Sequence, residues 1–186
     1  MTPGPRRFRG GRLIPAMRIL AEIYRHPQAD PNGRTVHRTA VRAVILRGRD
    51  LLLVHAAMGG YKFPGGGVDE GESQAEALRR EVLEECGATL IHIGDEVGAV
   101  VEYNLSIDEG FDTFKMTSCY FLCDVADGFG PQSLDDYEAD LGLEPRWVSI
   151  DEALRANHSL LETEFTPDWL KREVFILKYL QENAFT

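Results

Sequence analysis

Residues 63–88 read F-P-G-G-G-V-D-E-G-E-S-Q-A-E-A-L-R-R-E-V-L-E-E-C-G-A, and this stretch decides the fold. Pro64 biases Phe63 toward extended backbone. Gly65, Gly66 and Gly67 then let the backbone approach a ligand closely. Ser73-Gln74-Ala75-Glu76 has the form of a capping box, with Ser73 as N-cap and Glu76 reaching back from the third helical position. Ala77, Leu78 and Val82 supply apolar contacts, and Gly87 is placed to stop the helix. The spacing predicts a helix of about 13 residues. Glu81, Glu84 and Glu85 fall at i, i+3 and i+4 and share one helix face. Like charges so placed repel by a few tenths of a kcal/mol per pair. A bound divalent cation is the simplest group to offset that repulsion.

Working outward, residues 39–46 and 51–55 have strand character, and the turn at 47–50 joins them into a hairpin. Residues 61–63 form a short extended piece before the glycines. Beyond the helix, 97–105 and 113–125 predict a second hairpin across the polar segment 106–112. Residues 126–145 show little apolar periodicity, and a connection of that length inside a compact domain is usually functional or mobile. It offers the carboxylates Asp135, Asp136, Glu138, Asp140 and Glu144. A strand at 146–150 and a helix at 151–156 follow. Thr166-Pro167-Asp168 has the form of a helix start, with Leu170, Val174, Leu177 and Leu180 lining one face as far as Gln181. Upstream of the first hairpin, Ile14, Met17, Leu20, Ala21 and Tyr24 share a helical face, which predicts a short amphipathic helix over 14–24. Residues 1–12, rich in Pro, Gly and Arg, are expected to be loosely attached. The expected organisation is an N-terminal extension, 1–36, and one domain, 37–186.

Composition narrows the function. The chain has 186 residues and a formal net charge of −10. Residues 1–36 carry seven Arg against Glu22 and Asp30, a balance of +5, which leaves −15 for the rest. An acidic body predicts no broad nucleic-acid binding, which needs a basic face. An anionic ligand would then meet the protein through cations. No apolar run approaches the ~18 residues of a membrane span, so no membrane partner is expected. Arg18 and Glu22 interrupt the apolar patch 13–23, which makes a poor secretory signal. Cys86, Cys119 and Cys123 are too few for a disulfide scaffold and suggest buried thiols in a reducing cytoplasm. The five scattered histidines are expected to be structural or exposed, and Trp147 and Trp169 to pack in the core. The D-x-D-x-D-G loop of a calcium-binding helix pair is absent. The basic N-terminal segment is expected to form an interface, either in a homodimer or near the substrate.

Residues 66–88 resemble the Nudix hydrolase signature, G-x5-E-x7-R-E-U-x-E-E-x-G-U, where U is a bulky aliphatic residue. Gly66, Glu72, Arg80, Glu81, Val82, Glu84, Glu85 and Gly87 match, and Ala88 stands where the last aliphatic residue would be. The resemblance implies an α/β/α sandwich with a mixed sheet, in which the signature forms a loop–helix–loop. It also implies a phosphoric anhydride hydrolase using Mg²⁺ or Mn²⁺. Such an enzyme cleaves a nucleoside diphosphate linked to another group: a nucleotide sugar, a dinucleoside polyphosphate or a nucleoside triphosphate. By that resemblance Glu81, Glu84, Glu85 and the carbonyl of Gly65 hold metal. Glu72 and Arg80 support them, with Arg80 orienting the glutamates, and Gly66 and Gly67 lie against substrate. The general base is Glu81 or an acid of the later loop, Glu138 or Glu144 being favoured. Tyr103 is a candidate substrate contact, because a tyrosine in that region accompanies dinucleoside-polyphosphate hydrolases. The alternative is a Nudix-fold sensor that binds a nucleotide without cleaving it.

Overall fold

A computed structural model describes residues 17–164 and 166–183 of the protein. The strands are β1 (Ile19–Tyr24), β2 (Thr35–Arg47), β3 (Asp50–His55), β4 (Tyr61–Lys62), β5 (Leu90–Leu105), β6 (Thr113–Val125) and β7 (Glu144–Ser149). The helices are α1 (Gln74–Cys86), α2 (Asp136–Asp140), α3 (Ile150–Leu161) and α4 (Leu170–Asn183). The strands make one mixed sheet in the order β1-β5-β6-β2-β3-β4, with β7 beside β3. Apolar clusters cover both faces. Val41, Ala43 and Ile45 pack with Ala77, Leu78 and Val82 of α1. Val44, Tyr120 and Val100 pack with Ile176, Leu177 and Leu180 of α4. The α/β/α sandwich expected from residues 63–88 is the observed architecture.

Both predicted hairpins form, and the way the first one opens creates the site. β2 and β3 pair only at Leu46↔Leu51 and Arg47↔Asp50. Beyond that turn β3 leaves β2 and pairs with β4 and β7. β2 instead runs parallel to β6 over eleven registered positions, from Thr35↔Thr113 to Ile45↔Cys123. Its other edge is thereby left with unpaired backbone groups, which need partners when buried. The glycine segment supplies them. Ala43 N donates to Pro64 O (2.8 Å), Val41 N to Gly66 O (2.9 Å), and Val68 N to Thr39 O (3.0 Å).

Several expectations change in detail. The helix expected at 14–24 is a strand over the described part: β1 lies parallel to β5 from Ile19↔Ala99 to Tyr24↔Tyr103. The segment satisfies the outer edge of β5 instead, with Ala99 N donating to Arg18 O and Arg25 N to Tyr103 O. The expectation for 1–12 falls outside the described residues. The connection 126–145 contains the short helix α2, and β7 begins within it at Glu144. α3 runs past Ala156 because Asn157 and Leu160 continue its buried stripe. α4 starts at Leu170, later than expected, since the Thr166 hydroxyl turns back to Thr163 O (3.4 Å). All three cysteines are free and buried, and burial pushes their thiols well above the usual range. Trp147 and Trp169 are half-buried against the α1-side cluster. Among the described residues no helix is long and apolar enough to cross a membrane.

Candidate active site

α1 begins with the expected box. Ser73 accepts from Glu76 N and Glu76 returns to Ser73 N, while Gly87 ends the helix at φ 63°. This fixes the rotation of the helix, and Glu81 and Glu85 turn inward while Leu83 stays exposed. Glu85 is fully buried. Its Oε2 accepts from Gly65 N (2.7 Å), tying helix to glycine loop. Lys62 Nζ stands 2.6 Å from its Oε1 in an ion pair. Gly65 has φ 133°, and a Cβ there would collide with Val41 O. A Cβ on Gly66 would collide with the Glu81 carboxylate, which lies flat against it. Glycine is required at both positions because backbone and carboxylate occupy the space a side chain would fill.

Arg80 is the hub of the acidic face. Its guanidinium binds Glu72 in bidentate fashion (3.0 and 2.9 Å), donates to Gly67 O (3.0 Å), and reaches Glu81 (2.8 Å) and Glu84 (3.2 Å). The hydrogen bonds from Arg80 hold Glu72 below the usual carboxylate range and raise Arg80 itself further. Glu81 goes the other way: burial pushes its carboxyl up, with Glu85 adding to the rise and Arg80 and Arg42 opposing it. Glu84 is half-exposed and held by Arg80, outside the inner cluster.

The third member of that cluster comes from α2. One carboxylate oxygen from each of Glu81, Glu85 and Glu138 lies within 4.8 Å of the others. Glu138 is held by a reciprocal cap: Glu138 N donates to Asp135 Oδ1 (2.7 Å) and Asp135 N to Glu138 Oε2 (3.2 Å). Burial, and then the neighbouring Glu85 carboxylate, push Glu138 up to about 7. Three converging carboxylates fit a hard divalent cation that takes oxygen ligands. Glu81, Glu85 and Glu138 would hold it.

The other candidates are placed elsewhere. Glu144 is exposed at the start of β7, where its Oε2 accepts from Arg146 (2.7 Å). Tyr103 is buried on β5 and stacks on Tyr24 (centroids 4.9 Å apart). It pairs with Lys115, which is level with His37 on β2, whereas the glycine segment joins β2 at Thr39, Val41 and Ala43. Tyr103 thus lies two strands across the sheet from the strand that the glycine segment joins.

Four residues were not singled out from sequence. Arg42, 8% exposed, has a buried Nε without a partner, and its charge acts on Glu81. Arg38, two residues along the same strand face from Ala40, lays its guanidinium over Gly67. Lys62 pairs with Glu85. Glu173 of α4, fully buried, accepts from Phe63 N (2.9 Å). Two of them left a signal: Arg42 interrupts the apolar run 40–46, and Glu173 falls in the apolar stripe of Leu170, Leu177 and Leu180.

Comparison with known proteins bears on this arrangement. A family model described as NUDIX domain matches residues 36–169, well over half of the chain. The RNA pyrophosphohydrolase of Helicobacter pylori (strain G27) is 57% identical over 35 residues, 19% of this chain and 23% of that protein. The chain thus matches less than a quarter of that relative's length. Two solved structures share the fold. A NUDIX hydrolase from Nitrosomonas europaea superposes with a TM-score of 0.55 at 24% identity, over 80% of this chain and 91% of that one. A MutT protein from Methanosarcina mazei Go1 gives 0.51 at 22% identity, over 80% and 97%.

Proposed function

The chain belongs to the NUDIX family of hydrolases, and from that membership we propose that it is a Mg²⁺- or Mn²⁺-dependent pyrophosphohydrolase. Its substrate would be a nucleoside diphosphate joined to another group: a sugar, a second nucleotide or a further phosphate. The observation that carries this reading is the convergence of Glu81, Glu85 and Glu138, brought together from α1 and α2. The chemistry a divalent ion supplies when bound there is neutralisation of diphosphate charge and Lewis-acid activation of water.

The chain's own residues divide the remaining work. Glu85 and Glu81 hold the ion, with the carbonyl of Gly65 and the outer Glu84 as further oxygen donors. Arg80 orients these carboxylates and, with Glu72, limits their repulsion. Gly66 and Gly67 let the Glu81 carboxylate and the Arg38 guanidinium lie against the backbone of the loop where a phosphate would bind. Arg38 and Arg42 place positive charge along the same loop, where a diphosphate would lie. Glu138, which reaches the cluster while Glu144 does not, is the third carboxylate that holds the ion. Tyr103 has no part in this reading.

Purified protein, incubated with Mg²⁺ or Mn²⁺, tests it against nucleotide sugars, dinucleoside polyphosphates, nucleoside triphosphates and a 5′-triphosphorylated oligonucleotide. The oligonucleotide is included because of the printed activity of the Helicobacter relative. Metal-dependent release of a nucleoside monophosphate, inorganic phosphate or pyrophosphate from one class is expected. Tight nucleotide binding without turnover across the panel would overturn the reading in favour of a sensor.

A further inference from the structure

The segment that enters the glycine loop is fastened along one edge by three helices. Tyr61 N donates to Asn157 Oδ1 on α3 (2.6 Å), Phe63 N to Glu173 Oε2 on α4 (2.9 Å), and Gly65 N to Glu85 Oε2 on α1 (2.7 Å). The three amides stand two residues apart, and their acceptors come from three different helices. All three acceptor side chains are fully buried. Asn157 adds a second bond, from Nδ2 to Tyr61 O (2.9 Å).

Glu173 is itself held. Arg172 donates to its Oε1 from Nε (3.0 Å) and Nη2 (2.8 Å), and from Nη1 to Glu102 Oε2 (2.6 Å). Glu102 Oε1 in turn accepts from Arg25 (3.0 and 2.6 Å), on the segment following β1. The chain Arg25–Glu102–Arg172–Glu173 balances two cations with two anions. It occupies one carboxylate oxygen of Glu173 and leaves the other for Phe63. Buried charges are costly to desolvate and are retained where they fix an arrangement. Here the chain ends on the residue two before Gly65.

We propose that Glu173 is a positioning residue: through Phe63 N it sets the course of residues 63–65, and so the placement of Gly65 and Glu85 toward the cation. The proposal rests on the reading of Glu85 as a metal ligand.

Two variants isolate the effect. Glu173→Gln keeps an acceptor oxygen and loses the charge. Glu173→Asp keeps the charge and the Arg172 pair but draws the carboxylate back from Phe63. A third, Leu177→Ala, removes buried α4 packing and no hydrogen bond to the loop. Amide exchange in the metal-free protein should quicken ~10-fold or more at Phe63 and Gly65 in both Glu173 variants, with α1 amides unchanged. Affinity for Mn²⁺, read from the free-ion EPR signal, should fall ~10-fold, and kcat ~10- to 100-fold with KM little altered. Leu177→Ala should lower Tm and leave these readouts unmoved at temperatures where it is folded. Unchanged exchange at Phe63 and Gly65 in a folded Glu173→Asp protein overturns the positioning role. So does a Leu177→Ala protein that reproduces the whole pattern. Wild-type protein that neither binds Mn²⁺ nor hydrolyses any substrate overturns the parent reading instead, and the exchange measurement still decides the positioning claim.

Discussion

α1 brings Glu81 and Glu85 to the cluster through its own periodicity, whereas α2 brings Glu138 through contacts made elsewhere in its connection. The cap at Ser73 and the stop at Gly87 fix α1 within its own 15 residues. α2 has five residues, and its position comes from the segment before it. Gly130 N donates to Gly87 O (2.7 Å), Ser133 N to Glu84 O (2.9 Å), and Gln132 Nε2 to Glu85 O (2.6 Å) and Leu143 O (3.0 Å). The last carbonyls of a helix lack partners within it, and here the connection supplies their donors. The difference teaches that the connection carrying α2 takes its register from the C-terminus of α1. Anything that shifts that terminus should move Glu138 as well.

The largest expected effect lies on the α1 side. Glu85→Gln should lower kcat at least ~100-fold, as loss of a charge-stabilising group does elsewhere, checked by steady-state kinetics at saturating Mg²⁺. Next is the joint between the two regions. Gly87→Ala would strain a left-handed residue and drive Cβ into Gly130 O, costing about 2–4 kcal/mol. Denaturant unfolding measures that cost, and activity in the surviving folded fraction should fall too, because the connection must shift.

On the α2 side the effect is one of pH. A carboxylic acid whose folded pKa lies above its unfolded value binds more protons in the native state, so stability is lost as pH rises between the two. For Glu138 that window runs from about 4.3 to about 7. The Tm of metal-free protein should therefore decline from pH 5 to pH 8. Glu138→Gln should flatten the decline and leave a smaller remainder from Glu81, whose pKa is also raised. A steeper decline in the variant would reverse the assigned sign. The smallest effect is expected at Gln132. Gln132→Ala removes two hydrogen bonds from the connection and should cost about 1–2 kcal/mol, with kcat falling more than Glu144→Gln lowers it.

The same contrast explains what sequence reasoning could reach. Ser73, Glu76, Gly87 and the glutamate spacing are local codes, and the helix formed where they placed it. Glu138 could not be told from Glu144 by spacing, because the choice depends on Gln132 and Gly130 meeting α1. One local sign was present: Asp135 and Glu138 stand at the separation of a capping pair. The residues of β1 carry a helical pattern, yet an open edge of β5 with partners to fill outweighed it. Arg42 and Glu173 are charges within apolar patterns, and their meaning emerges only once β2 faces the loop and α4 faces Phe63. Tyr103 was suggested by its distance along the chain, and the sheet order carries it away from the cluster.

The central claim is that Glu81, Glu85 and Glu138 form one cation site to which Glu144 does not belong. Mn²⁺ titration of four proteins, wild type, Glu85→Gln, Glu138→Gln and Glu144→Gln, followed by the free-ion EPR signal, tests it most directly. Affinity should drop at least ~10-fold in the first two variants and stay at the wild-type value in the third. Wild-type affinity in Glu138→Gln, or a loss confined to Glu144→Gln, would contradict it.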